Sequence, residues 1–356
     1  MKDEYRRLSD SSFKKFKVGG TCEAFTKLVL NHPNELVLCF RGNSNNKAVV
    51  YYNNHIVFSI SAEGSVSISF DHARYCENWV KYKEDLENKY QFSMGELRLH
   101  AKRSEGSAPT YTIGHAKRAS QKTPLTEEDV NCLYEKMVKV MMGSYFSAKA
   151  HHAYDRFYSC KNPSAPRRYA SKNYGEKKSQ EALFLAFKSL DDGYFFYDME
   201  YAEPNGKEKN CKNQPDMLAI RFEHGMPKAL VFVEVKSSRS ALDGKSGLGE
   251  HIKGMAEYPL INDGLSLQTR REDARLILNQ YYDLGLYSIP HKYNPSEFQA
   301  LPFEMMVIFT DDVKEYNLSS VSRGFTYSEV PVPPSVQSLA RAYHIQENSS
   351  PTLLAQ

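Results

Sequence analysis

Pro215-Asp216-Met217-Leu218-Ala219-Ile220-Arg221-Phe222, the turn Glu223-His224-Gly225-Met226-Pro227, and then Ala229-Leu230-Val231-Phe232-Val233-Glu234-Val235-Lys236 form the stretch that decides the fold. Two runs rich in aliphatic, β-branched and aromatic residues, separated by a Gly- and Pro-containing turn, predict an antiparallel hairpin. The second run is apolar on both faces up to Glu234, so it is expected to be central and buried. Glu234 and Lys236 stand two apart on that strand and share a face. An unpaired charge there would be costly. Asp216 begins the neighbouring strand at the matching end of the hairpin.

Working outward, Tyr194 to Tyr201 reads as a strand preceding the hairpin. Before it, Gly175 to Phe187 has helical period, with Leu183, Phe187 and Leu190 on one face. At 100° per residue Glu176 falls in phase with that face, whereas Glu181 falls off it and reads as solvated surface. Beyond the hairpin, Ser237 to Gln268 is glycine-rich and reads as a flexible loop near the site, with His251 a free surface histidine. A helix is expected from Arg271 to Leu284, carrying Ala274, Ile277, Leu278, Tyr281 and Tyr282, and then a strand from Phe303 to Phe309. Glu176, Asp216 and Glu234 are thereby expected to converge with Lys236 at one sheet edge. Clustered carboxylates repel unless a cation sits among them, and hard oxygen ligands suit Mg²⁺ or Mn²⁺. Lys236 would orient the attacking water or stabilise charge developing on a phosphate.

Pro215-Asp216 followed by Glu234-Val235-Lys236 resembles the signature of the PD-(D/E)XK nuclease superfamily, the restriction-endonuclease-like fold. The resemblance spans about Asn173 to Thr310. It implies a core of helix, three antiparallel strands, helix and strand. It also implies metal-binding roles for Asp216 and Glu234, a metal-facing carbonyl on Val235 and a catalytic role for Lys236. Glu176 matches the first-helix acid, with Glu181 as the fallback, and Gln280 resembles a polar residue found on the second helix of some members. The competing reading makes Glu234 and Lys236 a plain strand-end ion pair.

The N-terminal part reads differently. Glu35–Phe40, Lys47–Tyr52, His55–Ile60 and Val66–Phe70 are short strands separated by Asn/Gly turns, an antiparallel meander. Val66, Ile68 and Phe70 alternate with serines, so one side of that sheet is expected to see solvent or a partner. A helix is expected around 78–88. Another begins at Thr126 as N-cap, with Val130, Leu133, Met137, Val140 and Met141 as a core stripe ending at Gly143. Two intervals are basic, Leu97–Lys122 and Lys149–Lys178. The second interleaves tyrosines and Phe157 with Arg156, Arg167, Arg168 and Lys172, which suits a nucleic-acid path. It also suits a solvated linker, given Asn162-Pro163-Ser164-Ala165-Pro166.

Lys+Arg 46 against Asp+Glu 43 leaves a net charge of +3, so any nucleic-acid signal must come from such local clustering. The apolar fraction of 41% excludes a collagen-like or wholly disordered chain. No run reaches the roughly 18 apolar residues a membrane span needs. The six cysteines contain no CxxC pair and read as reduced thiols. No GxxxxGK[ST] segment occurs, so nucleotide hydrolysis by the chain itself is not expected.

The expected fold is therefore α/β with a mixed α+β sheet: a restriction-endonuclease-like core and an N-terminal β-rich domain. The expected divisions are an accessory domain at 1–148, a linker at 149–172, the nuclease-like domain at 173–318 and a partly disordered tail at 319–356. The expected function is Mg²⁺- or Mn²⁺-dependent hydrolysis of DNA phosphodiesters in the cytoplasm, as an effector of prokaryotic anti-phage defence. A nuclease acting on RNA or in repair, or a non-catalytic nucleic-acid-binding or assembly subunit, are the alternatives. The expected partners are nucleic acid, DNA foremost, and a protein or activating signal received by the N-terminal domain. No membrane is expected, and self-association is compatible with this reading.

Overall fold

A computed structural model describes residues 6–42, 46–52, 55–61, 66–68, 92–94, 100–102, 110–112, 116–118, 125–131, 134–135, 174–188, 190, 193–199, 215–237, 242, 247–310, 313 and 325–347. The chain divides into two units, residues 8–171 and residues 1–7 with 172–356.

In the first unit, α1 (Glu23–Asn31) buries Ala24, Phe25, Leu28 and Val29 along one face. It accompanies a sheet whose strands β1 (Leu36–Arg41), β2 (Lys47–Tyr52), β3 (His55–Ser61) and β4 (Val66–Ile68) pair antiparallel in sequence order, as the meander reading expects. The sheet continues through β8 (Ala116–Arg118) to β5 (Phe92–Met94), and β6 (His100–Lys102) pairs with β7 (Thr110–Thr112). Phe25 meets Phe58 edge-on at 5.4 Å. β1 is buried at all six positions, so both faces are covered there; of Val66, Ile68 and Phe70, only the Val66 side chain is described, and it is buried. Thr126 caps the next helical segment: Asp129 N donates to Thr126 Oγ1 at 3.1 Å, and Thr126 N donates back to Asp129 Oδ2 at 3.1 Å. The 78–88 helix, the stripe residues Leu133, Met137, Val140 and Met141, and most of both basic intervals lie outside the described residues. Cys22 and Cys39 are buried and form no disulfide.

In the second unit, α2 (Tyr174–Ala186) precedes three strands, β9 (Tyr194–Met199), β10 (Met217–Glu223) and β11 (Met226–Lys236). β9 pairs antiparallel with β10, and β10 with β11. β11 then pairs parallel with β12 (Phe303–Thr310). A parallel neighbour needs a crossover, and α3 (Leu248–Glu257), a 3-10 segment at Tyr258–Gly264 and α4 (Leu265–Asp283) supply it. Helix, three antiparallel strands, helical crossover and parallel strand thus follow in order.

One expectation is overturned here. The Ser237–Gln268 segment, read as a flexible loop, is largely helical where described. Its glycines misled the reading, because a helix tolerates an interior glycine at about 1 kcal/mol. Leu248, Ile252 and Met255 recur at helical spacing and bury one face of α3. Gly264, at φ +82°, joins the 3-10 segment to α4 in a conformation that favours glycine. On α4, Ala274, Ile277, Leu278 and Tyr281 are buried and Tyr282 is exposed.

The tail, read as partly disordered, forms two strands within 325–347. β13 (Phe325–Val330) and β14 (Ala340–Glu347) pair antiparallel, and β14 adds antiparallel to β12. The sheet order is β13-β14-β12-β11-β10-β9. Pro331, Pro333 and Pro334 fall in the connection, where a missing N–H breaks no ladder.

Phe232 packs against Tyr258 at 4.5 Å and against Phe303 at 4.9 Å, which seats the crossover on the face of β11 that also carries Glu234. Phe187 of α2 stacks on Phe196 at 4.6 Å, whose register partner is Ala219, paired in turn with Val231 on the opposite face. Among the described residues no helix is long and apolar enough to cross a membrane.

Candidate functional site

β11 is flanked by β10 and β12 and buried without interruption from Ala229 to Lys236. Its last face-sharing pair is charged. Glu234 is 1% exposed and Lys236 4%, and Lys236 Nζ donates to Glu234 Oε1. Burial this complete is tolerable only because the two charges neutralise each other. The register Met217↔Val233 stands Asp216 opposite Glu234 at the open end of the hairpin. Asp216 is half-buried, and its Oδ2 accepts from Val235 N at 2.8 Å. The hairpin therefore brings Asp216, Glu234, Val235 and Lys236 together.

Sequence reasoning missed one member. His251 Nδ1 lies 2.8 Å from Glu234 Oε1, so His251 is not a free surface histidine. Read as part of a glycine-rich loop, the segment offers no phase by which to aim the His251 side chain. Oε1 of Glu234 thus faces two nitrogens, Lys236 Nζ and His251 Nδ1. Among the described residues, Oε2 is buried without a hydrogen-bond partner. A lone buried carboxylate oxygen is unstable by itself, at a cost of about 1–3 kcal/mol or more.

The fallback first-helix acid is placed differently from expectation. Glu181 is 4% exposed on α2, not a solvated surface residue, and its neighbour Gln180 is equally buried. The helix is rotated from the simple phase reading, with 180, 181, 183, 184 and 187 all on its covered side. Glu176 belongs to α2, but its side chain lies outside the described residues, as do Arg156, Arg167, Arg168 and Lys172. Gln280 is buried on α4. Among the described residues no group of three or more His, Cys, Asp or Glu side chains is placed to hold a metal ion. The described structure thus brings two of the expected carboxylates together and adds no third to them.

A divalent cation fits the residues that are present on two grounds. The donors are hard oxygens, and one of them, Glu234 Oε2, is buried with its bonding capacity unmet.

A second charged cluster lies on the opposite face. Arg221 on β10 donates through Nε and Nη2 to the two carboxylate oxygens of Glu304 on β12, at 2.9 and 2.8 Å, while His344 Nε2 on β14 stands 3.4 Å from Glu304. It ties three strands together, and it is structural in character.

The chain matches no family model, no curated protein and no solved structure.

Proposed function

We propose that the second unit is a divalent-cation-dependent nuclease of the PD-(D/E)XK type, hydrolysing phosphodiester bonds of DNA. The observation that carries this reading is the buried Glu234–Lys236 pair at the end of the central strand, with Glu234 Oε2 unbonded and Asp216 opposite. An ordinary strand-end ion pair would be expected to satisfy both oxygens or to sit in solvent. The order of elements around it supports the restriction-endonuclease-like fold.

In this reading Asp216, Glu234 and the Val235 carbonyl would hold Mg²⁺ or Mn²⁺, with a carboxylate of α2 completing the set. The cation would supply Lewis acidity and acidify a bound water. The chain's own contribution is positional. Val235 N orients Asp216, and Lys236 neutralises Glu234 while keeping a cation beside the non-bridging phosphate oxygens, where negative charge builds up. Water oxygen bonds to phosphorus, one P–O ester bond breaks, and the departing oxygen takes up a proton. The basic interval 149–178 would receive the phosphate backbone. The β-rich unit would sense a partner or signal, as befits a defence effector.

A non-catalytic nucleic-acid-binding subunit is the second reading, favoured by the missing third ligand among the described residues. Incubation of plasmid DNA with Mg²⁺ or Mn²⁺, with and without EDTA, separates the two. EDTA-sensitive cutting that Asp216→Asn abolishes is the expected result, and metal-independent binding without cutting would establish the second reading. The buried Glu181 is the α2 acid to test first: Glu181→Gln should cost more activity than Glu176→Gln.

A further inference from the structure

Glu234 Oε1 accepts from Lys236 Nζ of its own strand and lies 2.8 Å from His251 Nδ1 of α3, while among the described residues Oε2 is buried without a hydrogen-bond partner. Lys236 alone holds the carboxylate by one flexible stem, about which the group can still rotate. A second donor approaching from another element fixes the plane of the carboxylate. α3 is itself anchored, because Leu248, Ile252 and Met255 are fully buried beneath it. His251 N donates to Gly247 O at 3.2 Å, which holds the imidazole's backbone inside the first turn. His251 is 28% exposed at its side chain, so the ring bridges the buried carboxylate and the solvent side of the site.

We propose that His251 is a positioning residue for Glu234, committing Oε1 to the protein so that Oε2 is presented to a divalent cation. The inference rests on the metal-dependent reading of the site above. Its chemistry is that of an outer partner that orients a ligand, a role whose loss costs about 10- to 100-fold in metal affinity or activity.

The test uses the full chain and Mn²⁺ alone as the probe, followed by plasmid cleavage. His251→Ala should weaken Mn²⁺ binding by about 10- to 100-fold and lower kcat, with KM for DNA unchanged. His251→Asn places an amide N–H where Nδ1 stood and should restore most of both. A merely structural residue would not be rescued in metal affinity by that donor. Wild-type Mn²⁺ affinity in His251→Ala would overturn the inference, as would an equally weak His251→Asn variant that unfolds at the wild-type temperature. If Glu234→Gln binds Mn²⁺ as tightly as wild type, the metal reading falls and takes the inference with it. If wild type binds Mn²⁺ but cuts no DNA, only the nuclease reading fails, and the two isotherms still decide the role of His251.

Discussion

Arg6 and Asp198 are 192 residues apart in the chain, and Arg6 Nε donates to Asp198 Oδ2 at 2.6 Å with both side chains buried. The same short segment reaches α4. Arg6 N donates to Asp273 Oδ2 at 2.7 Å, and Arg7 Nη1 donates to Asp273 Oδ1 at 3.2 Å. Arg270 Nη1 adds a further bond to Asp273 Oδ2 at 2.9 Å. A bulge in β9 helps to build this cluster: Leu218 pairs with Asp198 but Ala219 pairs with Phe196, which leaves Tyr197 extra. Burial drives the Tyr197 hydroxyl well up, with Asp198 adding to the effect, so it stays neutral among these charges.

Breaking this pair should destabilise the second unit. Removing one partner of a buried ion pair costs about 3–5 kcal/mol, because the other charge is stranded. Arg6→Ala and Asp198→Ala should each lower the urea midpoint, whereas the double variant Arg6→Met with Asp198→Leu should lose less than either. Hydrogen exchange in β9 and α4 would locate the effect. An unchanged midpoint in Arg6→Ala would show that the segment is not docked in solution.

The Glu234–Lys236 pair makes a second prediction, on stability and activity together. Glu234→Ala strands a buried ammonium and should cost about 3–5 kcal/mol in addition to cleavage. Glu234→Gln combined with Lys236→Met removes both charges and should recover most of the stability while remaining inactive. Thermal unfolding beside plasmid cleavage reads both quantities. Cleavage by the double variant at the wild-type rate would place the chemistry elsewhere.

Glu304 gives the pH dependence. Burial would push its carboxyl up, but His344 and the Arg221 guanidinium outweigh it and bring the value from 4.5 down to about 2. The folded value lies below the unfolded one. The stabilisation is therefore complete above the unfolded value of 4.5 and is lost as pH falls towards about 2. Wild type should lose stability through that window, and Glu304→Gln should show a flatter profile across it. Parallel profiles for the two proteins would remove Glu304 as the cause.

The basic interval makes the last prediction. Log affinity for duplex DNA falls with log salt at about −0.9 per phosphate neutralised. Replacing Arg156, Arg167, Arg168 and Lys172 with Ala should flatten that slope and weaken binding across all sequences. A solvated linker would leave both unchanged. Isotherms at several salt concentrations in the Asp216→Asn background measure the slope without cutting.

What the sequence alone determined is local in origin. The unbroken apolar run Ala229–Val233 pointed to a central buried strand, and the alternation of the extended backbone put Glu234 and Lys236 on one face. The hairpin turn likewise set Asp216 opposite Glu234. Only the tertiary structure decided which distant groups answer those charges. Arg6 on Asp198, His251 on Glu234 and the burial of Glu181 follow from how separate elements pack, and no period in the chain encodes a partner far along it. The glycines of α3 and the prolines between β13 and β14 argued locally for loops. Burial of Leu248, Ile252 and Met255 and pairing of β14 with β12 overrode them, since packing and ladder hydrogen bonds outweigh propensities of about 1 kcal/mol per residue.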